Sequence, residues 1–149
     1  MSHPTPQLAA SPVTFTQLLS STRRGARLAR LLGVSQLRSW GVPQNLTERA
    51  EIVVAELAAN AVLHAHLPGR SFRLTLAFDA SPGRLRVDVT DARGDRWPPN
   101  HPASDLSDAA LHAGGRGLAL VTALADRWDC VPYPPSGKIV RAELIYTGS

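Results

Sequence analysis

Hydrophobic residues recur at helical spacing in three parts of the chain. Over residues 22–40, leucines with arginines between them predict a first helix, which the Gly-Val-Pro sequence at 41–43 ends. Asn45, with Glu48 three residues later, predicts the N-cap of a second helix that continues to about residue 66. A third helix is predicted over residues 117–126. The leucines of the first helix are Leu28, Leu31, Leu32 and Leu37.

Strict alternation of apolar and polar residues predicts strands elsewhere. Residues 71–80 and 84–91 both alternate, and the Ser-Pro-Gly sequence between them predicts a hairpin. Residues 127–133 and 138–146 indicate two further strands. Adjacent strands that pair favour a mostly antiparallel sheet with helices on one face, which is the α+β class. We expect residues 1–22 to form a flexible tail and residues 23–149 to form the domain.

Composition restricts the class of protein. The chain has 149 residues, 44% hydrophobic and 19% charged, which is typical of one soluble globular domain. Its single cysteine, Cys130, excludes an intrachain disulfide and fits a reducing compartment. Neither a secretory signal nor a long apolar run is evident, so a cytoplasmic protein without a membrane span is expected.

The net charge of +4 comes largely from arginine, because Lys138 is the only lysine. Part of this excess lies in the first predicted helix, without an acid nearby. Two interpretations stay open for that segment, a solvated helix face and a docking surface for an acidic partner. Nucleic-acid binding is disfavoured, because no aromatic residues are interleaved with these arginines. The arginines are Arg23, Arg24, Arg27, Arg30 and Arg38.

Two polar residues interrupt an apolar part of the second helix. Between residues 52 and 63 only Glu56 and Asn60 are polar, and their spacing places them one turn apart on one face. They could lie at a helix edge touching water, or be satisfied by the backbone. Alternatively, the Asn60 carbonyl oxygen could bind a hard cation such as Mg²⁺, with Glu56 orienting or deprotonating a nucleophile.

Two further elements could bind a nucleotide. Asp91 ends an alternating strand, where it could be a turn former or could accept a hydrogen bond from an exocyclic amine. Gly115 and Gly117 lead into the third helix, whose free N–H groups could hold a phosphate, with Arg116 as a forked donor.

Taken together and in this order, the three elements resemble those of the GHKL ATPases, which include gyrase, heat-shock chaperone, histidine kinase and mismatch-repair ATPases. The likeness is strongest to the small anti-sigma-factor serine kinases. ELAANAVLHA at 56–65 resembles their N box, VDVTDARGD at 87–95 their first glycine box and GGRGLALV at 114–121 their second. GKIVRAEL at 137–144 is similar to the closing strand of actinobacterial relatives.

The resemblance implies a Bergerat fold, an α/β sandwich that holds ATP between its helices and a mobile lid, here residues 98–113. It implies that Asn60 coordinates Mg²⁺, that Glu56 is the general base and that Asp91 binds the adenine amine. The implied nucleotide-binding residues are Asn60, Asp91, Gly94, Gly115, Arg116, Gly117 and Leu118.

The implied function is an ATP-dependent serine/threonine protein kinase that acts on a small antagonist protein, and that could also sequester a sigma factor. A homodimer is implied by the same resemblance. One departure matters, because Arg93 and Asp95 occupy the two glycine positions of the first glycine box. This departure leaves an alternative, a non-catalytic protein-interaction module whose nucleotide binding is weak or lost.

Overall fold

The described residues form one antiparallel sheet with helices against one face. The computed structural model describes residues 12–63, 69–91, 116–133 and 137–147. In this part of the chain the strands lie in the order β1-β2-β3-β5-β4, and every neighbouring pair is antiparallel. The predicted α+β class is confirmed. The elements are β1 (Val13–Ser20), α1 (Arg23–Ser39), α2 (Gln44–Leu63), β2 (Ser71–Asp79), β3 (Arg84–Asp91), α3 (Arg116–Leu124), β4 (Arg127–Tyr133) and β5 (Gly137–Ile145).

Strand β1 lies in the segment that the sequence pattern assigned to a flexible tail, and the structure corrects that assignment for Val13–Ser20. The strand pairs with β2 along its whole length, from Val13 opposite Phe78 to Ser20 opposite Ser71. Val13 and Phe15 alternate with threonines, but the Leu18-Leu19 pair breaks the pattern, and only Leu19 of the strand is buried. Residues 1–11 of the predicted tail lie outside the described residues.

Helix α1 has the predicted bounds but a different buried face. The Thr22 hydroxyl accepts a hydrogen bond from the Gly25 amide at 3.0 Å, which caps the helix. Three of the four leucines that predicted the helix are exposed, and only Leu37 is buried. The buried residues are the i, i+4 series Gly25, Ala29, Gly33 and Leu37. Small residues allow α1 to lie close to its neighbours, so size rather than hydrophobicity determines this face.

Helix α2 begins at Gln44, one residue before the predicted N-cap. Asn45 therefore lies inside the first turn, and the predicted capping box is wrong. The first helical hydrogen bond runs instead from the Thr47 amide to the Pro43 carbonyl at 2.9 Å. The predicted end near residue 66 falls outside the described residues, where the helix is given to Leu63.

The core lies between α2 and the sheet. Opposite residues of β3 and β5 face this core as three apolar cross-strand pairs: Leu85–Leu144, Val87–Ala142 and Val89–Val140. From the helix layer, α2 contributes several fully buried residues to the same cluster, among them Val53 and Leu57. In the described part of the chain, no helix combines the length and hydropathy that crossing a membrane requires.

The other face of the sheet carries charged side chains. Arg141 of β5 donates from Nε and Nη2 to Asp88 of β3 at 3.0 and 3.2 Å. This hydrogen bond raises the pKa of the Arg141 guanidinium. On the same face, Arg127 of β4 donates to Glu143 of β5 at 3.0 Å. The two faces therefore differ sharply, because one is apolar under the helices and the other is a network of ion pairs.

Candidate nucleotide-binding site

Asn60 is a polar residue within the buried face of α2. It follows Val53 and Leu57 at helical spacing, and only 7% of its surface is exposed. Its Oδ1 atom is buried and has no hydrogen-bond partner among the described residues. Leaving such an acceptor unpaired costs about 1–3 kcal/mol. The interpretation in which the backbone satisfies Asn60 therefore fails for this oxygen, which is available to a cation or a donor.

Glu56 lies one helical turn before Asn60 and is half-buried. Within the described ranges it makes no hydrogen bond or ion pair with another side chain. A carboxylate at the edge of a buried face can contact both the interior and the solvent. Its position is thus compatible with accepting a proton from a group that enters from outside, and this general-base role stays a prediction.

Asp91 ends β3 on the helix-covered face, and Lys138 of β5 lies directly opposite. The lysine Nζ atom is 3.3 Å from Oδ2 and 3.5 Å from Oδ1 of Asp91. Lys138 is only 1% exposed. In the sequence this residue stands out only as the single lysine, and no role was predicted for it. In β5 it faces the core, two residues before the buried Val140.

Backbone and thiol groups surround this ion pair. A Cβ atom on Gly137 would lie 2.5 Å from the Asp91 carbonyl oxygen and 3.1 Å from that of Tyr133, so only glycine fits there. Cys130 of β4 lies opposite Val140 of β5, which is two residues from Lys138 along the strand. Burial, the largest cause, raises the pKa of Cys130 to about 12. The thiol therefore stays protonated and behaves as an apolar neighbour.

The second glycine box is only partly described. Helix α3 begins at Arg116, so the backbone of Arg116 and Gly117 forms its first turn, close to the predicted start. Leu118 is buried in the core, where its side chain has a packing role. Gly94 and Gly115 lie outside the described residues, as do Arg93, Asp95 and the predicted lid at 98–113. Their predicted roles stay predictions.

A metal at this site would depend on few protein atoms. No group of three or more His, Cys, Asp or Glu side chains suited to a metal occurs in the described part of the chain. Mg²⁺ commonly takes one or two protein ligands and completes its shell with phosphate oxygens and water. The unpartnered Oδ1 of Asn60 fits that requirement, because it is an oxygen donor that the described residues leave unused.

The comparisons with known proteins agree with this architecture. A profile of the histidine kinase-like ATPase domain matches residues 19–144. No match was found among curated protein sequences. The fold is similar to the RsbU and RsbW domains of a Mycobacterium tuberculosis protein, with a TM-score of 0.61, 20% identity, and coverage of 95% of this chain and 33% of that chain. It is also similar to the SiaB–SiaC complex from Pseudomonas aeruginosa, with a TM-score of 0.57, 12% identity, and coverage of 87% and 88%.

The structural likenesses and the domain profile differ in what they show about this chain. The chain spans about a third of the Mycobacterium chain, and at these identities both likenesses show the fold alone. The domain profile, in contrast, covers most of the chain and includes Glu56, Asn60, Asp91 and the start of α3. The chain belongs to the histidine kinase-like ATPase domain family.

Proposed function

We propose that this protein binds ATP with Mg²⁺ beside Asn60 of α2 and Asp91 of β3, and transfers the γ-phosphate to a serine or threonine of a small antagonist protein. The observation that carries the proposal is the buried Oδ1 of Asn60, for which the described residues provide no hydrogen-bond partner. A domain that keeps this oxygen unpaired in its core loses stability unless a ligand uses it. Mg²⁺, when bound, would neutralise phosphate charge, and Asn60 would hold it.

The other residues take roles that their positions allow. Asp91, at the end of β3, accepts a hydrogen bond from the adenine amine. The N-terminus of α3 offers backbone N–H groups to the phosphates. Transfer forms a bond between the attacking hydroxyl oxygen and the γ-phosphorus and breaks the bond to the β–γ bridging oxygen, releasing ADP. Glu56 takes the hydroxyl proton.

The proposed partner is a small protein. The family resemblance of the N box and second glycine box to anti-sigma-factor kinases favours an antagonist protein, with a sigma factor as a second partner. One structural neighbour is described as a complex of two proteins. Regulation of transcription and a homodimer belong to the same proposal and rest on the same resemblance. A cytoplasmic location is proposed because the single cysteine, Cys130, fits a reducing compartment.

Calorimetric titration with Mg-ATP tests the binding step. Wild-type protein is expected to bind Mg-ATP, and Asn60→Leu is expected to lose at least about tenfold in affinity, because the carbonyl ligand is removed. Asn45→Leu is the matched control, since Asn45 is an exposed residue of the same helix. Absence of heat with wild-type protein at millimolar Mg-ATP contradicts the proposal.

The transfer step needs a separate test. Protein purified with its bound partner is incubated with Mg-ATP, and the phosphorylated residue is located by mass spectrometry. Glu56→Gln should abolish phosphorylation while it leaves Mg-ATP binding intact, and Glu48→Gln on the exposed face should change neither. Unimpaired transfer by Glu56→Gln would disprove the general-base role. Binding without any transfer by wild-type protein would identify a non-catalytic interaction module.

A further inference from the structure

We propose that Lys138 is a positioning residue that holds the Asp91 carboxylate toward the nucleotide base and so contributes to the choice of adenine. The inference rests on the proposed function. Its starting point is a break in a regular pattern. Three core-facing pairs of β3 and β5 are apolar, and the fourth, at the end of the strands, is Asp91–Lys138.

The geometry restrains Asp91 on two sides. Its carboxylate lies 3.3 and 3.5 Å from the Lys138 Nζ atom through Oδ2 and Oδ1. Its main-chain carbonyl lies against the Cα of Gly137, where no side chain would fit. Adjacent residues of β5 therefore fix the backbone and the side chain of the same aspartate. Both charged side chains are largely removed from solvent, 10% exposed for Asp91 and 1% for Lys138.

Stability alone does not explain a charged pair at this position. Desolvating an ammonium and a carboxylate offsets much of their attraction, and an apolar pair of similar volume is often equally stable. The three preceding pairs show that these strands accept apolar residues in the same row. A compact ammonium on a flexible stem, rather than a planar guanidinium, suits a small space beside a carboxylate. This is the only lysine among sixteen lysine and arginine residues.

A fixed Asp91 carboxylate would select the nucleotide base by its hydrogen-bonding groups. An ionised carboxylate only accepts hydrogen bonds, so a fixed Asp91 favours a ring that presents an amine. Adenine offers its exocyclic amine at that position, whereas guanine offers a carbonyl oxygen that an acceptor repels. Lys138 acts through Asp91 and has no contact with the base in this scheme. Its removal should weaken recognition of the amine and leave the phosphate contacts unchanged.

The test compares ATP with purine riboside triphosphate, which lacks the exocyclic amine, by calorimetry in the presence of Mg²⁺. For Lys138→Met we expect ATP affinity to fall about tenfold and affinity for the amine-free nucleotide to change less than about threefold. Arg141→Met is the matched control, because Arg141 pairs with Asp88 between the same two strands on the opposite face. The control should leave the ratio of the two affinities at the wild-type value.

Lys138→Gln is a second variant, for the case that Lys138→Met does not fold. The glutamine amide can still donate a hydrogen bond to Asp91 but carries no charge. It should lower the affinity ratio in the same direction, and thermal unfolding checks that each variant is folded. Equal losses for both nucleotides would overturn the proposal, because Lys138 would then contact the phosphates or the ring. An unchanged ratio in both variants would also overturn it. If wild-type protein binds neither nucleotide, the proposed function itself has failed.

Discussion

Asp88 and Arg141 form a two-point ion pair between β3 and β5, three residues along each strand from the pair of Asp91 and Lys138. Because side chains of a strand alternate between faces, the two pairs lie on opposite sides of one sheet. The Arg141 side chain is 35% exposed, whereas that of Lys138 is 1% exposed. The same strands thus hold one solvent-facing ion pair in a surface network and one enclosed pair beside the candidate site.

Replacing Asn60 should stabilise the nucleotide-free protein while it weakens Mg-ATP binding at least about tenfold. Asn60→Leu removes a buried acceptor without a partner among the described residues and substitutes an apolar side chain of similar size. We expect the free energy of unfolding in urea to rise by about 1 kcal/mol. A decrease of similar size, with Asn45→Leu unchanged, would mean that Asn60 has a structural role.

Two glycines of α1 should respond in opposite directions to alanine. At Gly33 a Cβ atom would make ordinary contacts, 3.7 Å from Val54 Cγ1 and 3.8 Å from Leu74 Cδ2. Gly33→Ala should therefore stabilise the protein by up to about 1 kcal/mol through helix propensity. At Gly25 the same atom would overlap the Ser20 carbonyl oxygen, so Gly25→Ala should destabilise by about 2 kcal/mol or more.

Chemical denaturation measures both glycine variants under identical conditions. The comparison is sharp because both changes add one methyl group to the same helix. If the two substitutions changed the free energy of unfolding by similar amounts, α1 would not lie as close to the end of β1 as the structure places it.

Arg49 should be a strong determinant of stability. From α2 it donates to the Leu124 carbonyl, at 2.8 Å from Nη2 and 3.2 Å from Nε, at the end of α3. Its Nη1 atom also donates to the Ile145 carbonyl at 3.1 Å. Arg49→Met should reduce the free energy of unfolding by about 2 kcal/mol, because charged hydrogen bonds to a helix-end carbonyl and a strand-end carbonyl are lost.

Arg27→Met is the control for Arg49→Met. Arg27 is exposed on α1, and the described ranges contain no hydrogen bond or ion pair from it. Its replacement should change the stability by less than about 0.5 kcal/mol. Equal losses for the two arginines would indicate that net charge, rather than the bridge between elements, controls the stability.

Cys130 should make the stability depend on pH in the alkaline range. Burial raises the pKa of the thiol from 9.0 to about 12 in the folded protein. Between these values the unfolded chain releases the proton and the folded chain retains it, so stability is lost as pH rises. The contribution is fully present below pH 9 and declines by about 1 kcal/mol per pH unit above it.

Urea unfolding of wild type and Cys130→Ala between pH 8 and 11 isolates this effect. The slope should be shallower in the variant, whatever its stability at neutral pH. The thiol of the folded protein should also react slowly with thiol reagents at pH 8. Rapid reaction under native conditions would contradict the burial of Cys130.

Sequence patterns predicted the elements whose periodicity follows burial. Strands β2 and β3 were predicted because alternate residues face the core, and the turn chemistry at 81–83 identified their hairpin. Strand β1 was missed because it is an edge strand with one buried residue, stabilised by its ladder with β2. The predicted buried face of α1 was wrong because glycine and alanine form the actual buried face, and their close packing is not reflected in hydrophobicity.

In the candidate site, too, some residues could be predicted from the sequence and others could not. Glu56 and Asn60 were identifiable because polar residues stand out in an apolar helix. Lys138 was not, because its significance comes from strand register: β5 pairs with β3 across a chain separation that includes the second glycine box. Only the tertiary structure places this lysine opposite Asp91. A pattern read along the chain cannot report a contact that two distant strands create.

The burial of the only lysine also affects the reactivity of its side-chain amine in the folded protein. Acylating reagents and enzymes that acetylate lysine need an accessible, unprotonated amine, and the ammonium of Lys138 is covered and engaged with a carboxylate. Labelling at this position would therefore report transient opening of the β3–β5 end of the sheet.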